Sequence, residues 1–210
     1  MIIRNYPFPI IKIGENVYKF LPPDLLKSET DFLRLNKYLS IYNQKTKFNK
    51  FKIPKIRKYF LFTKTKYMGD TIFASEKGLS KLYNCISDFS NIFKEENDST
   101  ISLGDIQIRN VYFKEDLFYL LDLGRGAGEK VSYLYNQSRF LVHLIDCNLE
   151  LQTIKILKKE KNKKFILKAM NQRSIKVFKK RLLSGNFKSA FFRMILYIKF
   201  NFKVNYFFIY

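Results

Sequence analysis

The stretch LGDIQIRNVYFKEDLFYLLDLGRG, residues 103–126, carries three oxygen-bearing side chains in a defined order. Asp105 directly follows a glycine, Asn110 comes five residues later, and Asp122 stands two residues before another glycine. Between Asn110 and Asp122, two apolar runs are separated by Lys-Glu-Asp, which favours a β-hairpin. The sequence therefore predicts that two acids and one amide are presented around a single hairpin.

These three residue types suit phosphoryl transfer. In that reaction the protein positions the acceptor hydroxyl, holds magnesium on the phosphates and neutralises developing charge. An aspartate that takes or orients the acceptor proton is required, and Asp105 is predicted to be this catalytic residue. Magnesium prefers hard oxygen ligands, which predicts Asn110 and Asp122 as metal-binding residues. The alternative is that the aspartates only form turns or caps at strand ends, and that the nearby glycines only permit positive φ.

The pattern resembles that of the kinase-like phosphotransferases, in which Asp, four residues and Asn are followed by a β-hairpin and Asp-x-Gly. Here it is GDIQIRN, residues 104–110, and then DLG, residues 122–124. The Gly-Asp form is most similar to the small-molecule kinases and to the lipopolysaccharide core kinases, including heptose kinases. The resemblance implies an α+β, two-lobed protein-kinase-like fold, with a trimmed N-terminal β-rich lobe and a mainly helical C-terminal lobe.

The resemblance also assigns roles in the N-terminal third and implies ATP and Mg²⁺ as cofactors. Lys19, in a strand-like run, would be the phosphate-binding lysine, and Glu29, near the start of the next helix, would be its ion-pair partner. Lys19 is equally explained as a solvated strand residue, and Glu29 as an acid favoured by the helix dipole. Leu103 stands where a histidine usually precedes Gly-Asp, and no glycine-rich phosphate loop precedes Gly14. A degenerate pseudokinase is therefore an open alternative.

Hydrophobic periodicity predicts the remaining elements. The N-terminal third contains two strands around a turn at Gly14, followed by a helix. Residues 43–58 are predicted to be a basic connector, and residues 59–69 contain a further strand. Apolar residues at steps of three and four predict a helix over residues 76–93 with one buried stripe. Beyond the glycines, the apolar period is helical as far as Leu183.

We expect three parts in the 210-residue chain. An N-lobe over residues 1–65 would hold the nucleotide-binding strands and helix. A C-lobe over residues 66–185 would hold the catalytic loop, the metal-binding hairpin and further helices. A basic aromatic tail would occupy residues 186–210.

The formal net charge of +21 is unevenly distributed. Residues 151–210 carry +15 and contain a single acid, whereas residues 1–150 carry only +6. A strongly cationic segment favours nucleic acid or an anionic membrane surface as partner. A basic RNA-binding or ribosomal protein is one alternative, but it would spread its cations along the chain. We therefore expect an anionic membrane surface rather than nucleic acid as partner.

The tail from residue 190 onward alternates aromatic and aliphatic side chains with a few cations. Its apolar run is interrupted by Arg193, Lys199 and Lys203, which predicts against a membrane-spanning helix. An apolar surface edged by cations suits the headgroup boundary of a membrane instead. The alternative is that the aromatic residues pack into the large lobe while the lysines face water.

Two further features bear on the compartment. Cys85 and Cys147 lie in apolar-periodic segments, which predicts unpaired buried thiols and a reducing environment. The N-terminal run MIIRNYPFPI has neither a long apolar core nor a small-residue cleavage site, so no secretory signal is predicted. We expect a cytoplasmic protein that is peripheral on the inner face of the cell membrane.

The predicted function is that of an ATP-dependent kinase with an alcohol group as acceptor. The acceptor would be a sugar hydroxyl on a lipid-linked saccharide, namely the lipopolysaccharide core. The alternatives are a kinase for a soluble small molecule or protein, a degenerate pseudokinase, and a basic RNA-binding protein.

Overall fold

The structure is a computed structural model, and it describes residues 2–4, 10–20, 29–47, 50–59, 62–66, 76–114, 117–120 and 126–209. The chain forms two compact units. The first unit contains Met1–Ala74 and Ile101–Lys130, and the second contains Ser75–Thr100 and Val131–Tyr210. The three-part division at residues 65 and 185 stays a prediction.

The first unit holds most of the strands and one described helix. The elements are β1 (Ile2–Arg4), β2 (Ile10–Ile13), β3 (Asn16–Phe20), α1 (Glu29–Lys45), β4 (Lys50–Lys52), β5 (Ile56–Lys58), β6 (Phe62–Lys66), β8 (Val111–Lys114) and β9 (Leu117–Leu120). The larger sheet has the order β1-β2-β3-β6-β5, and the smaller sheet has the order β4-β9-β8. Strands β7 (Ser99–Ile101) and β10 (Lys130–Ser132) form a two-stranded sheet, and both contain a point where the chain passes from one unit to the other.

The predicted hairpin around Gly14 is confirmed. Gly14 has φ +56°, and Ile13 pairs with Asn16 across the turn in an antiparallel register. In β3 the side chains alternate between the two faces of the sheet. The Tyr18 and Phe20 rings both contact Phe62 of β6, with centroids 5.8 and 5.6 Å apart. Lys19, between them in sequence, therefore points to the opposite face.

The segment predicted as a basic connector, residues 43–58, contains strands β4 and β5, so that prediction is wrong. The side chain of Asn43 bonds the backbone of Phe51 as a neighbouring strand would. Its Nδ2 atom donates to the Phe51 carbonyl at 2.7 Å, and its Oδ1 atom accepts from the Phe51 N–H at 3.1 Å. Phe51 is fully buried, and its ring lies 6.0 Å from that of Phe118 across the parallel β4–β9 pair. Burial of one aromatic side chain thus organises a segment in which seven of the sixteen residues are Lys or Arg.

The second unit is mainly helical. The helix predicted over residues 76–93 is confirmed, the predicted helical region as far as Leu183 is divided into three helices, and a further helix lies in the tail, where none was predicted. The helices are α2 (Glu76–Ile92), α3 (Tyr135–Asp146), α4 (Glu150–Lys159), α5 (Lys163–Leu183) and α6 (Phe187–Ile209). Leu82, Ile86 and Phe89 of α2 are completely buried, as predicted from the spacing of apolar residues in this segment. Helices α3 and α6 are joined by an ion pair between Asp146 and Arg193. Within the described part of the chain, no helix has the length and apolar character needed to cross a membrane.

The two cysteines differ. Cys85 is free and buried, as predicted, but Cys147 is exposed. The periodicity of α3 ends at Asp146, so Cys147 is the first residue beyond the helix and no longer shares its buried face. The Sγ atom of Cys147 lies 3.5 Å from Nε2 of the half-buried His143.

Candidate active site

The loop that contains Asp105 is fixed by buried apolar neighbours. Leu103 is completely buried and Ile106 is 3% exposed, whereas Asp105 between them is only half-buried. Gly104 has φ +76°, a conformation that strongly favours glycine, and it turns the chain between Leu103 and Asp105. The backbone conformation at position 104 thus explains the glycine of the Gly-Asp pair. Leu103 supports the loop through its buried side chain.

The carboxylate of Asp105 is held by a neighbour in the same loop. Gln107 Nε2 donates to Asp105 Oδ2 at 2.7 Å, and the side-chain amide of Asn110 donates to the Asp105 carbonyl at 3.4 Å. The N–H of Asn110 also donates to the Gln107 carbonyl at 2.8 Å, which closes a short 3₁₀ turn over Ile108–Asn110. Asp105 and Asn110, both predicted site residues, therefore lie within one compact loop.

Gln107 was missed by the sequence analysis. The available signal was its position, since it is a polar side chain between two isoleucines and two residues after Asp105. Its Oε1 atom is buried and has no hydrogen-bond partner among the described residues. A buried acceptor without a partner is costly and is often found where a ligand or ion completes the site.

The loop is held to the glycine-rich segment by backbone hydrogen bonds. The Ser102 N–H donates to the Glu129 carbonyl and the Gly128 N–H donates to the Ser102 carbonyl, both at 2.8 Å. Gly126 and Gly128 have φ of +83° and +78°, so both use the freedom of glycine. A Cβ atom at Gly128 would lie 2.9 Å from the backbone nitrogen of Leu35, so this turn packs directly against α1.

The hairpin that follows the loop is confirmed. Strands β8 and β9 are antiparallel, with Val111 opposite Leu120 and Lys114 opposite Leu117. The two residues between these strands, Glu115 and Asp116, lie outside the described residues. Asp122, two residues beyond the end of β9, lies outside the described residues, and its predicted role as a metal ligand stays a prediction.

The two predicted nucleotide-binding residues are only partly described. Lys19 lies in β3 opposite Thr63 of β6 and is half-buried, and its carbonyl accepts from the Thr63 hydroxyl at 3.5 Å. Glu29 is the first residue of α1, as a helix-start acid should be, but its side chain lies outside the described residues. The ion pair between Lys19 and Glu29 stays a prediction.

A magnesium site would draw on oxygen ligands from this loop and from the end of the hairpin. Among the described residues, no group of three or more His, Cys, Asp and Glu side chains could hold a metal ion. The predicted ligand set does not require such a group, because it combines the amide of Asn110 with Asp122.

A buried network of hydrogen bonds in the second unit holds Thr100, the residue directly before the segment 101–130. Asn136 of α3 donates to the Ser90 hydroxyl at 3.1 Å, and Ser90 in turn donates to the Ile86 carbonyl at 3.0 Å. The Thr100 hydroxyl donates to the Ser90 carbonyl at 3.0 Å. Thr100 is thereby held at the point where the chain enters the segment with Asp105.

Comparison with known proteins supports the fold. No protein-family model matches the sequence, and a search of curated proteins finds no match. A solved GDP complex of wild-type aminoglycoside 2'-phosphotransferase-IIIa is similar, with 12% identity and a TM-score of 0.58, over 91% of this chain and 88% of that chain. A double mutant of the PknI kinase domain of Mycobacterium tuberculosis aligns over 78% of this chain and 88% of that one, with 10% identity and a TM-score of only 0.37. The predicted α+β, protein-kinase-like fold is therefore confirmed.

Proposed function

We propose that this protein is an ATP-dependent phosphotransferase whose acceptor is a sugar hydroxyl. The observation that carries the proposal is the Asp105 carboxylate, which Gln107 orients at 2.7 Å on a loop that leads into the β8–β9 hairpin. This bond fixes the direction of the Asp105 carboxylate, as a residue that orients an acceptor hydroxyl requires. The similar fold of an aminoglycoside 2'-phosphotransferase adds support.

Each predicted residue has one role in this proposal. Asp105 is the catalytic residue that orients the acceptor hydroxyl and accepts its proton. Asn110 and Asp122 hold Mg²⁺ on the nucleotide phosphates, and Gln107 positions Asp105. Lys19 pairs with the phosphates and Glu29 positions Lys19.

The proposed reaction is a single displacement at the γ-phosphorus of ATP. The acceptor oxygen forms a bond to the γ-phosphorus of ATP, and the bond from that phosphorus to the β,γ-bridging oxygen breaks, which releases ADP. The acceptor proton passes to the carboxylate of Asp105. A Mg²⁺ ion held by Asn110 and Asp122 would supply positive charge to the phosphates.

The acceptor class is the finer part of the proposal. The similar structure is that of an enzyme named for a glycoside acceptor, which favours a sugar hydroxyl here as well. We propose the lipopolysaccharide core, presented at the inner face of the cell membrane, because the Gly-Asp form of the loop resembles that of lipopolysaccharide core kinases. A kinase for a soluble small molecule or a protein remains the alternative within this fold.

The test is incubation with labelled ATP, Mg²⁺ and lipopolysaccharide core precursors, followed by identification of the labelled product. Asp105→Asn should lower turnover by roughly 10²-fold or more, the usual size of a lost general base. Asp88→Asn is the matched control, since Asp88 is an exposed residue of α2. Equal turnover of the Asp105 variant and the control would overturn the assignment of Asp105.

The same assay separates the alternatives. Labelling of an aminoglycoside or of a protein, but not of core precursors, would retain the phosphotransferase and replace the acceptor. GTP is included as a second donor because the similar structure holds GDP. Thermal stabilisation by nucleotide with Mg²⁺ is expected even without acceptor. Its complete absence, together with no turnover, would overturn the proposal in favour of a pseudokinase or an RNA-binding protein.

A further inference from the structure

One face of α6 is apolar and exposed along most of its length. The residues in this row follow one another at steps of four, four, three and four, which places them on one side of a helix. They are between 48% and 74% exposed, and they form what we name the apolar stripe: Phe187, Phe191, Ile195, Ile198 and Phe202. The stripe runs over 15 residue steps, or roughly 23 Å at the rise of an α-helix.

The opposite face of α6 is already occupied. Ala190, Leu196, Tyr197, Phe200 and Val204 are all less than a tenth exposed, and Arg193 on this face pairs with Asp146 of α3. The helix therefore packs into its unit mainly through this face, and of the stripe residues Phe191 also contacts Phe178 of α5, with ring centroids 6.3 Å apart. Five large exposed side chains in one row exceed the scattered apolar residues that are normal on a protein surface.

Cations line one edge of the stripe. Lys188, Lys199 and Lys203 are exposed, and their spacing of eleven and four residues places them in a second row beside the first. Phe192, which is 59% exposed, belongs to the same row. Helix α6 contains no Asp or Glu, so nothing on the helix itself offsets this charge.

We propose that the apolar stripe docks on an anionic lipid bilayer, with α6 lying in the plane of the headgroups. Helices of this kind bury their apolar face about 5–10 Å into the headgroup boundary while their cations meet anionic lipids. The long stems of Lys188, Lys199 and Lys203 allow their ammonium groups to reach the headgroups while the stripe is buried. The inference is independent of the proposed activity, because it uses only the exposure and charge of one helix.

A second copy of this chain fits the surface less well. Two stripes packed in antiparallel orientation would also bring two lysine rows together, and α6 offers no acid to neutralise them. A bilayer that contains anionic lipid offers apolar depth and opposite charge along the same line. The charge pattern therefore favours the membrane over self-association.

Flotation of the full-length chain with vesicles tests the proposal. The vesicles are phosphatidylcholine alone or phosphatidylcholine mixed with phosphatidylglycerol. The stripe variant carries Ile195→Gln, Ile198→Gln and Phe202→Gln. The matched control carries the same substitution at three exposed apolar residues on other elements, namely Ile13, Leu33 and Leu151.

The stripe variant should bind the mixed vesicles at least about tenfold more weakly, since burial of one such side chain is worth about that much. The control should bind like the natural chain. A charge variant with Lys188→Gln, Lys199→Gln and Lys203→Gln should lose about fivefold in affinity per lysine for the mixed vesicles. The affinity of the natural chain should fall between about 0.1 M and about 1 M salt.

Equal binding by the stripe variant and the control would overturn the proposal, provided that circular dichroism shows both to be folded. Equal binding of the natural chain to both kinds of vesicle would overturn the role of the lysines. Self-association in sedimentation experiments that the stripe variant abolishes, with vesicle binding unchanged, would identify a second copy as the occupant.

Discussion

Gly128 offers a sharp test of how the segment around Asp105 is built. It has φ +78°, and its N–H donates to the Ser102 carbonyl just before the loop. A Cβ atom at this position would lie 2.9 Å from the Leu35 nitrogen and 2.9 Å from Arg34 Cγ, both on α1. The Cβ of Arg34 would also lie 3.0 Å away, and both this atom and the backbone of Leu35 are fixed by the helix. We therefore expect Gly128→Ala to destabilise the first unit by two separate effects.

The magnitude follows from those effects. Placing an alanine in the left-handed region costs about 1–2 kcal/mol. Forcing a methyl group into packed backbone costs a further 1–3 kcal/mol or so. The sum is about 2–5 kcal/mol, a large fraction of the roughly 5–15 kcal/mol that stabilises a typical protein.

Gly14→Ala is the matched control. Gly14 also belongs to the first unit and has φ +56°, but no atom lies within 4 Å of an added Cβ. It should therefore lose only the backbone contribution of about 1–2 kcal/mol. Urea unfolding followed by circular dichroism gives the two losses, and hydrogen exchange over residues 29–45 and 101–114 locates them. Equal losses in the two variants would refute the close packing of Gly128 on α1.

Two further substitutions test the site and the second unit. Gln107→Ala should lower kcat about tenfold because the Asp105 carboxylate loses its donor, while stabilisation by nucleotide persists in a thermal shift assay. If the kcat of Gln107→Ala equals that of the natural chain, Gln107 does not belong to the proposed site. Arg193→Met should cost about 3 kcal/mol, because it leaves Asp146 partly buried without its cation. Burial already raises the pKa of Asp146, and loss of Arg193 raises that pKa further. A carboxyl group whose pKa is raised in the folded state lowers the free energy of unfolding as the pH rises. The loss of stability in the Arg193→Met variant should therefore be smaller at about pH 5 than at about pH 7 in urea unfolding.

The parts of the fold that were predictable are those set by local patterns. The turn at Gly14 and the buried stripe of α2 depend on residues close together in sequence, and both were predicted from spacing alone. The loop and hairpin with Asp105 and Asn110 were predictable for a different reason. There the chemistry requires particular residue types in order, so that residue identity adds information to periodicity.

The parts that were missed depend on partners far along the chain. Strand β4 exists because Phe51 packs on Phe118 and because Asn43 bonds the Phe51 backbone, and a sequence rich in lysine conceals both contacts. Gln107 was missed because its role depends on the direction of its side chain within the loop. Cys147 was predicted to be buried because the apolar period was extended one residue beyond the end of α3.

The division into two units makes the two proposals separable by experiment. Asp105 and Gln107 belong to the first unit, whereas the apolar stripe belongs entirely to the second. Asp105→Asn should therefore lower phosphoryl transfer by roughly 10²-fold or more and leave vesicle binding unchanged. The stripe variant should abolish vesicle binding and leave nucleotide-induced stabilisation unchanged, while turnover of a lipid-linked acceptor falls because enzyme and acceptor no longer share a surface. If the stripe variant also lost its response to nucleotide, the stripe would be part of the structural core, and its exposure would no longer be evidence for a membrane surface.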